Sequence, residues 1–183
     1  APSKLPYDKL EWLNGLYIRE KLTDDELGER LKPFFDAAGC EVSVEKLQEA
    51  APLVRNRIKT LPEAVPFLRF LCTDEIVIED PREIIQRKMD APRTAEALRA
   101  AHDVLAAMDG FDPEEQEARL RALADEMGLK VGQLLGSLRE AVTAQKVSPP
   151  LFETMALIGK ATSLRRIRHA AERLENLPEP ESE

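Results

Sequence analysis

Helix-start chemistry recurs so often along this chain that it leaves almost no room for a sheet. Thr23-Asp-Asp-Glu26 pairs a hydroxyl with a glutamate three residues later, the reciprocal cap of a helix N-terminus, and its acids complement the helix dipole. Leu27, Leu31, Phe34 and Phe35 follow at helical spacing, and Gly39 supplies the stop. Thr60-Leu-Pro-Glu63 repeats the device before Ala64, Phe67, Leu68 and Leu71. Asp80-Pro-Arg-Glu83 and Asp112-Pro-Glu-Glu115 each set a cap, a first-turn proline and an acid in order. After the second of these, Leu120, Leu123, Ala124 and Met127 form an apolar stripe ending at Gly128. Ser148-Pro149 is expected to cap another helix that closes near Gly159, and Thr162 or Ser163 to cap the last. The strand-like run at residues 75–78 (EIVI) is too short to build a sheet.

The expected fold is all-α, with roughly nine or ten short helices. Asp90-Ala91-Pro92-Arg93 reads as a boundary between two consecutive small helical subdomains, residues 1–92 and 93–177. Residues 178–183, rich in Pro and Glu, are expected to be a disordered tail.

Composition agrees with helix. Aromatics make up only 5% of the 183 residues, while Ala, Leu, Glu and Arg dominate. No run of about eighteen apolar residues exists to cross a membrane. Residues 1–9 lack the apolar stretch of a secretory signal, so a cytoplasmic location is expected. Cys40 and Cys72 are expected to be small buried hydrophobes, with a single disulfide as the alternative. His102 and His169 stand alone, no glycine-rich phosphate loop appears, and the paired acids fall in first helical turns. The residues therefore offer no catalytic constellation, no metal site and no cofactor site.

The net charge of −8 argues against a nonspecific nucleic-acid binder, because phosphate contacts need Lys and Arg. Its distribution is uneven, however. Residues 51–72 carry Arg55, Arg57, Lys59 and Arg69 against one acid, Glu63. Residues 128–177 carry eight cations against four acids. A locally basic face on an acidic body suits docking to one nucleic-acid shape, although solvated helix faces give the same pattern.

Three segments carry more specific signals. Residues 9–20 (KLEWLNGLYIRE) place Leu10, Leu13, Tyr17 and Ile18 near one face, with Trp12 expected to pack or, alternatively, to stack on a base. Residues 55–61 (RNRIKTL) alternate cations across a helix end, which turns two long side chains outward. Residues 130–152 (KVGQLLGSLREAVTAQKVSPPLF) read as a helix bearing Arg139, a polar loop, and a proline-stiffened entry into the next helix. Arg165, Arg166, Arg168 and His169 crowd the last helix and are expected to form a solvated face.

The order and spacing of these three segments resemble the C-terminal anticodon-binding region of bacterial glutamyl-tRNA synthetases. The resemblance is strongest at residues 9–20, 57–61 and 129–159, and weak across residues 73–112. It implies an anticodon-binding helical cage built from the two subdomains, with the anticodon loop of tRNA-Glu as partner and no chemistry of its own. Arg57 aligns with an Arg that reads the third anticodon base in enzymes selective for tRNA-Glu over tRNA-Gln, and Arg55 is the alternative register. A guanidinium only donates, so it suits the cytosine carbonyl, but guanine offers acceptors too. Arg139, Ser148, Pro149 and Leu151 align with residues that contact the first two anticodon bases. Ser148 stands where Thr is common, which keeps the hydroxyl.

The family's two ATP-binding signatures do not occur here. ATP and Mg are therefore implied only for a catalytic domain missing from this chain, which is read as a monomeric, non-catalytic region of a glutamate–tRNA ligase. Its other implied partner is that enzyme's own catalytic domain. The competing reading is a helical protein–protein interaction or adaptor domain that binds no RNA. The negative charge favours it, and salt dependence separates the two.

Overall fold

A computed structural model describes residues 6–177, all-helical apart from turns and extended loops. The expected tail at residues 178–183 lies outside the described residues. The chain divides into two compact units, Ala1–Thr73 and Asp74–Glu183.

The first unit holds α1 (Tyr7–Glu20), α2 (Asp24–Ala37), α3 (Val44–Val54) and the single turn α4 (Ala64–Phe67). Thr23 and Glu26 make the reciprocal cap of α2, at 3.1 and 2.9 Å. Gly39 follows that helix at φ 71°, a left-handed conformation that glycine adopts without steric penalty, and Cys40 N donates back to Phe35 O. The α2 and α3 helices pack along each other, burying Leu27, Leu31 and Phe35 against Leu47, Ala50, Ala51 and Val54. Thr60 does not cap by its side chain. Instead the Glu63 carboxylate accepts from Lys59 N at 2.9 Å and from Thr60 Oγ1 at 3.0 Å, opening a 3-10 turn.

Two expectations fail in this unit. Cys40 and Cys72 form a disulfide, because the chain after α2 and the turn after Phe70 return to within 4.8 Å at Cα. Sequence spacing alone carries no sign of that meeting. Trp12 does not pack: it is 56% exposed, as are much of Leu10, Leu13 and Tyr17, since only Gly15 and Ile18 of α1 are buried.

The second unit holds α5 (Ala91–Ala106), α6 (Pro113–Glu126), α7 (Val131–Thr143), α8 (Leu151–Ile158) and α9 (Lys160–Glu175). The α5 and α9 helices lie against each other over most of their length, joined at the surface by a two-pronged Arg99–Glu175 pair at 2.9 and 2.7 Å. One core runs through all five helices. The anticipated boundary at Asp90–Arg93 falls inside this unit. Ile78 and Ile84 belong to its core, and Asp90 caps α5 by accepting from Arg93 N. The division occurs instead at Thr73 and Asp74. Residues 75–78 form neither helix nor strand, with Ile76 and Ile78 buried and Val77 exposed.

The last helix starts earlier than expected. Gly159, at φ 85° and ψ 160°, breaks the chain between α8 and α9, so Ser163 lies inside α9 and donates to Met155 O. Arg166 is not on a solvated face. It is 4% exposed, with Nη1 donating to Val142 O at 2.8 Å and Nε to Asp74 O at 3.2 Å. It thereby satisfies a carbonyl at the C-terminal end of α7, where no intrahelical donor remains.

Candidate nucleic-acid interface

Each unit carries candidate residues of its own. In the first unit α3 ends at Val54, and the chain turns with Arg57 N donating to Val54 O at 2.7 Å. Ile58 is buried, which throws Arg57 and Lys59 to the outside. Arg55 turns the other way. Its Nη1 donates to Leu22 O at 2.8 Å and Arg19 O at 3.2 Å, and its Nη2 pairs with Asp24. Arg55 therefore closes the C-terminal end of α1 and ties it to the start of α2. Arg57 has no side-chain partner among the described residues.

A pocket of about 380 Å³ opens in the same unit, lined by Asn14, Tyr17, Arg30, Phe34, Thr60 and Leu61 among others. The Arg30 guanidinium sits 5.7 Å from the Tyr17 ring centroid. Sequence reasoning missed Arg30, because on the helical pattern of α2 it is an ordinary solvent-facing cation.

In the second unit, α7 ends at Thr143 and Ala144 takes the left-handed conformation at φ 53°. Thr143 Oγ1 accepts from Gln145 N, and the chain then runs to Pro150, the residue preceding α8. Arg139 Nη1 donates to Ser148 Oγ at 2.6 Å, to Pro149 O at 2.7 Å and to Ser148 O at 3.3 Å. Ser148 therefore does not cap α8, since its hydroxyl faces Arg139. Ser148 is 6% exposed and Pro149 is also buried, while Pro150 and Val147 are exposed. Leu151 is 4% exposed and part of the core. Phe152 packs against that core.

Residues 81–90 lie alongside this turn. The Gln86 side chain fills the space where a Cβ at Gly136 would sit, 2.7 Å away, and its Nε2 donates to Glu140 Oε1 at 3.2 Å. Burial pushes the Glu140 carboxyl above its usual range, against the opposing effects of Gln86 and Lys146. Sequence reasoning passed over Arg82, Arg87, Lys88 and Lys146 here, because their meeting depends on this long-range docking onto α7.

Residues 26–171 match the family described as "Anticodon binding domain". The chain belongs to that family. It is 42% identical over 176 residues to a glutamate–tRNA ligase of Roseiflexus castenholzii, covering 93% of this chain and 34% of that one. A glutamate–tRNA ligase of Thermus thermophilus is 38% identical over 164 residues, covering 89% and 34%. The chain thus spans about a third of the length of the curated relatives it matches. Among solved structures, a glutamate–tRNA ligase from Elizabethkingia meningosepticum shares the fold at a TM-score of 0.78 and 21% identity, over 94% of this chain and 33% of that one.

Proposed function

We propose that this chain recognises the anticodon loop of tRNA-Glu as the anticodon-binding part of a glutamate–tRNA ligase. The observation that carries the reading is the division of labour between Arg55 and Arg57. Arg55 is held by carbonyls of α1 and by Asp24, which leaves Arg57 as the exposed guanidinium beside it. A planar fork of donors suits a base edge in an unstacked loop. Arg57 then reads the third anticodon base. In the other unit, Arg139 holds the Ser148-Pro149 turn in shape, and that turn meets the first two bases.

Within such an enzyme the domain acts as a monomer and supplies binding energy, while ATP, Mg and glutamate belong to the catalytic part. The exposed Leu10, Leu13 and Tyr17 on α1 offer apolar area for contact with that part. The test is fluorescence anisotropy against tRNA-Glu and the same tRNA with its third anticodon base changed from C to G. The C form should bind more tightly, and Arg57→Gln should erase about 1–3 kcal/mol of that preference. Unchanged preference in the variant removes Arg57 from the role.

A further inference from the structure

Two shallow pockets in the second unit share Gln86 and Arg87 and run together into one surface. Its lining carries six cations, Arg82, Arg87, Lys88, Lys130, Arg139 and Lys146, against two carboxylates, Glu83 and Glu140. That is a local excess of four positive charges on a chain of net charge −8. Lys146 pairs with Glu83 at 3.2 Å, and Arg82 with Asp80 at 3.5 Å, but both pairs are solvent-exposed. The side chains of Arg87, Lys88 and Lys130 have no partner among the described residues.

The platform beneath these cations is fixed. Ser137 Oγ donates to Ile84 O at 2.9 Å, Gln133 Nε2 to Arg87 O at 2.9 Å, and Gln86 seats itself against Gly136. Lys88 occupies a left-handed position, φ 68°, in a turn closed by Met89 N on Gln86 O at 3.0 Å. A lysine there costs about 1 kcal/mol that a glycine avoids. The site holds a charge where backbone stability favours a residue without one.

We propose that this surface is a phosphate track, along which Arg87, Lys88 and Lys130 bind consecutive phosphates of the RNA backbone next to the turn held by Arg139. The proposal rests on the anticodon reading but assigns a separate contribution. Base readout sets which tRNA is preferred, and the track sets how tightly any RNA is held and how strongly salt weakens it.

The test is the salt dependence of binding, measured for the C-form and G-form tRNAs and an unrelated RNA hairpin. The triple variant Arg87→Gln/Lys88→Gln/Lys130→Gln should weaken all three by about tenfold or more at moderate salt, and should flatten the slope of log K against log salt by about 2 to 3. Arg87→Lys should keep the slope, and Arg121→Gln, on α6 outside this lining and paired with Glu117, should leave it unchanged. A triple variant with the wild-type slope and intact C-over-G preference overturns the track and leaves the anticodon reading standing. Equal wild-type binding to C and G forms, with the slope still flattened by the triple variant, overturns the anticodon reading and keeps the track. A wild-type chain that binds none of the three RNAs overturns both.

Discussion

The Arg139 guanidinium donates to the Ser148 hydroxyl across 2.6 Å, nine residues along the chain, and through the same nitrogen to the carbonyls of Ser148 and Pro149. One side chain on α7 thereby sets the path by which the chain enters α8. Charge-assisted bonds of this kind contribute about 1.5–3 kcal/mol when buried. Arg139→Ala should therefore lower the stability of the chain by about 2–3 kcal/mol in urea unfolding, and Ser148→Ala by about 1 kcal/mol. A double-mutant cycle should return a coupling above about 0.5 kcal/mol. Additive losses would mean that the hydroxyl and guanidinium act independently.

Arg55 and Arg57 should separate cleanly in the same assay. Arg55→Ala leaves the carbonyls of Arg19 and Leu22 without their donor and removes the partner of Asp24. A loss of about 2–4 kcal/mol is expected. Arg57→Ala should change stability by less than about 0.5 kcal/mol, because an exposed side chain without a partner has little to lose. Equal losses would contradict the assignment of one to structure and the other to ligand.

The disulfide links residues 32 apart in sequence and encloses α3, Arg57 and α4. Closing a loop of that length restricts the unfolded chain by about 3–4 kcal/mol. Cys72→Ser should reduce the stability of the oxidised protein by about that amount, and so should a thiol reductant acting on the wild type. A reductant that leaves the unfolding midpoint of the wild type unchanged would show that the bond contributes nothing.

Glu140 should give a pH signature. Its carboxyl is held above the usual range, so the folded state binds that proton more tightly than the unfolded state does. Its stabilising contribution is complete below the unfolded value, about 4.3, and disappears as pH rises through the folded value. Glu140→Gln keeps an acceptor for Gln86 and removes the penalty of a half-buried charge. The variant should gain stability over the wild type at pH 7 and lose that advantage near pH 4, read as urea midpoints. An advantage that is the same at both pH values would assign it to packing.

Ala144 tests the cost of a left-handed residue at the end of α7. Its N–H donates to Glu140 O at 2.8 Å, so the geometry is that of a helix C-terminus with φ at 53°. Ala144→Gly should stabilise the chain by about 0.5–1 kcal/mol, measured as a rise in Tm. No rise would mean the turn is held by its side-chain bonds alone.

Several helix starts were legible in the residues, and the failures have particular causes. Thr23, Asp80, Asp90 and Asp112 each bond to a backbone N–H two or three residues ahead, so their work is local. Ser148 carries the same local signal but loses it to a guanidinium one helix away. The Asp90 boundary was misplaced for a related reason. A capped, proline-bearing helix start lies there, but Ile78 and Ile84 belong to the core that follows.

The sequence by itself determined the all-helical class, several of the helix starts and stops, and the family, because capping, periodicity and motif order are written within a few residues of where they act. Only the tertiary structure decided which arginines face water. Arg55 finds its carbonyls 33 to 37 residues away, Arg166 finds Val142 and Asp74 on other segments, and Cys40 meets Cys72. A guanidinium is equally at home in solvent or capping a helix C-terminus. What settles its place is which unpaired carbonyls the packed helices bring within reach, and no local pattern encodes that distance.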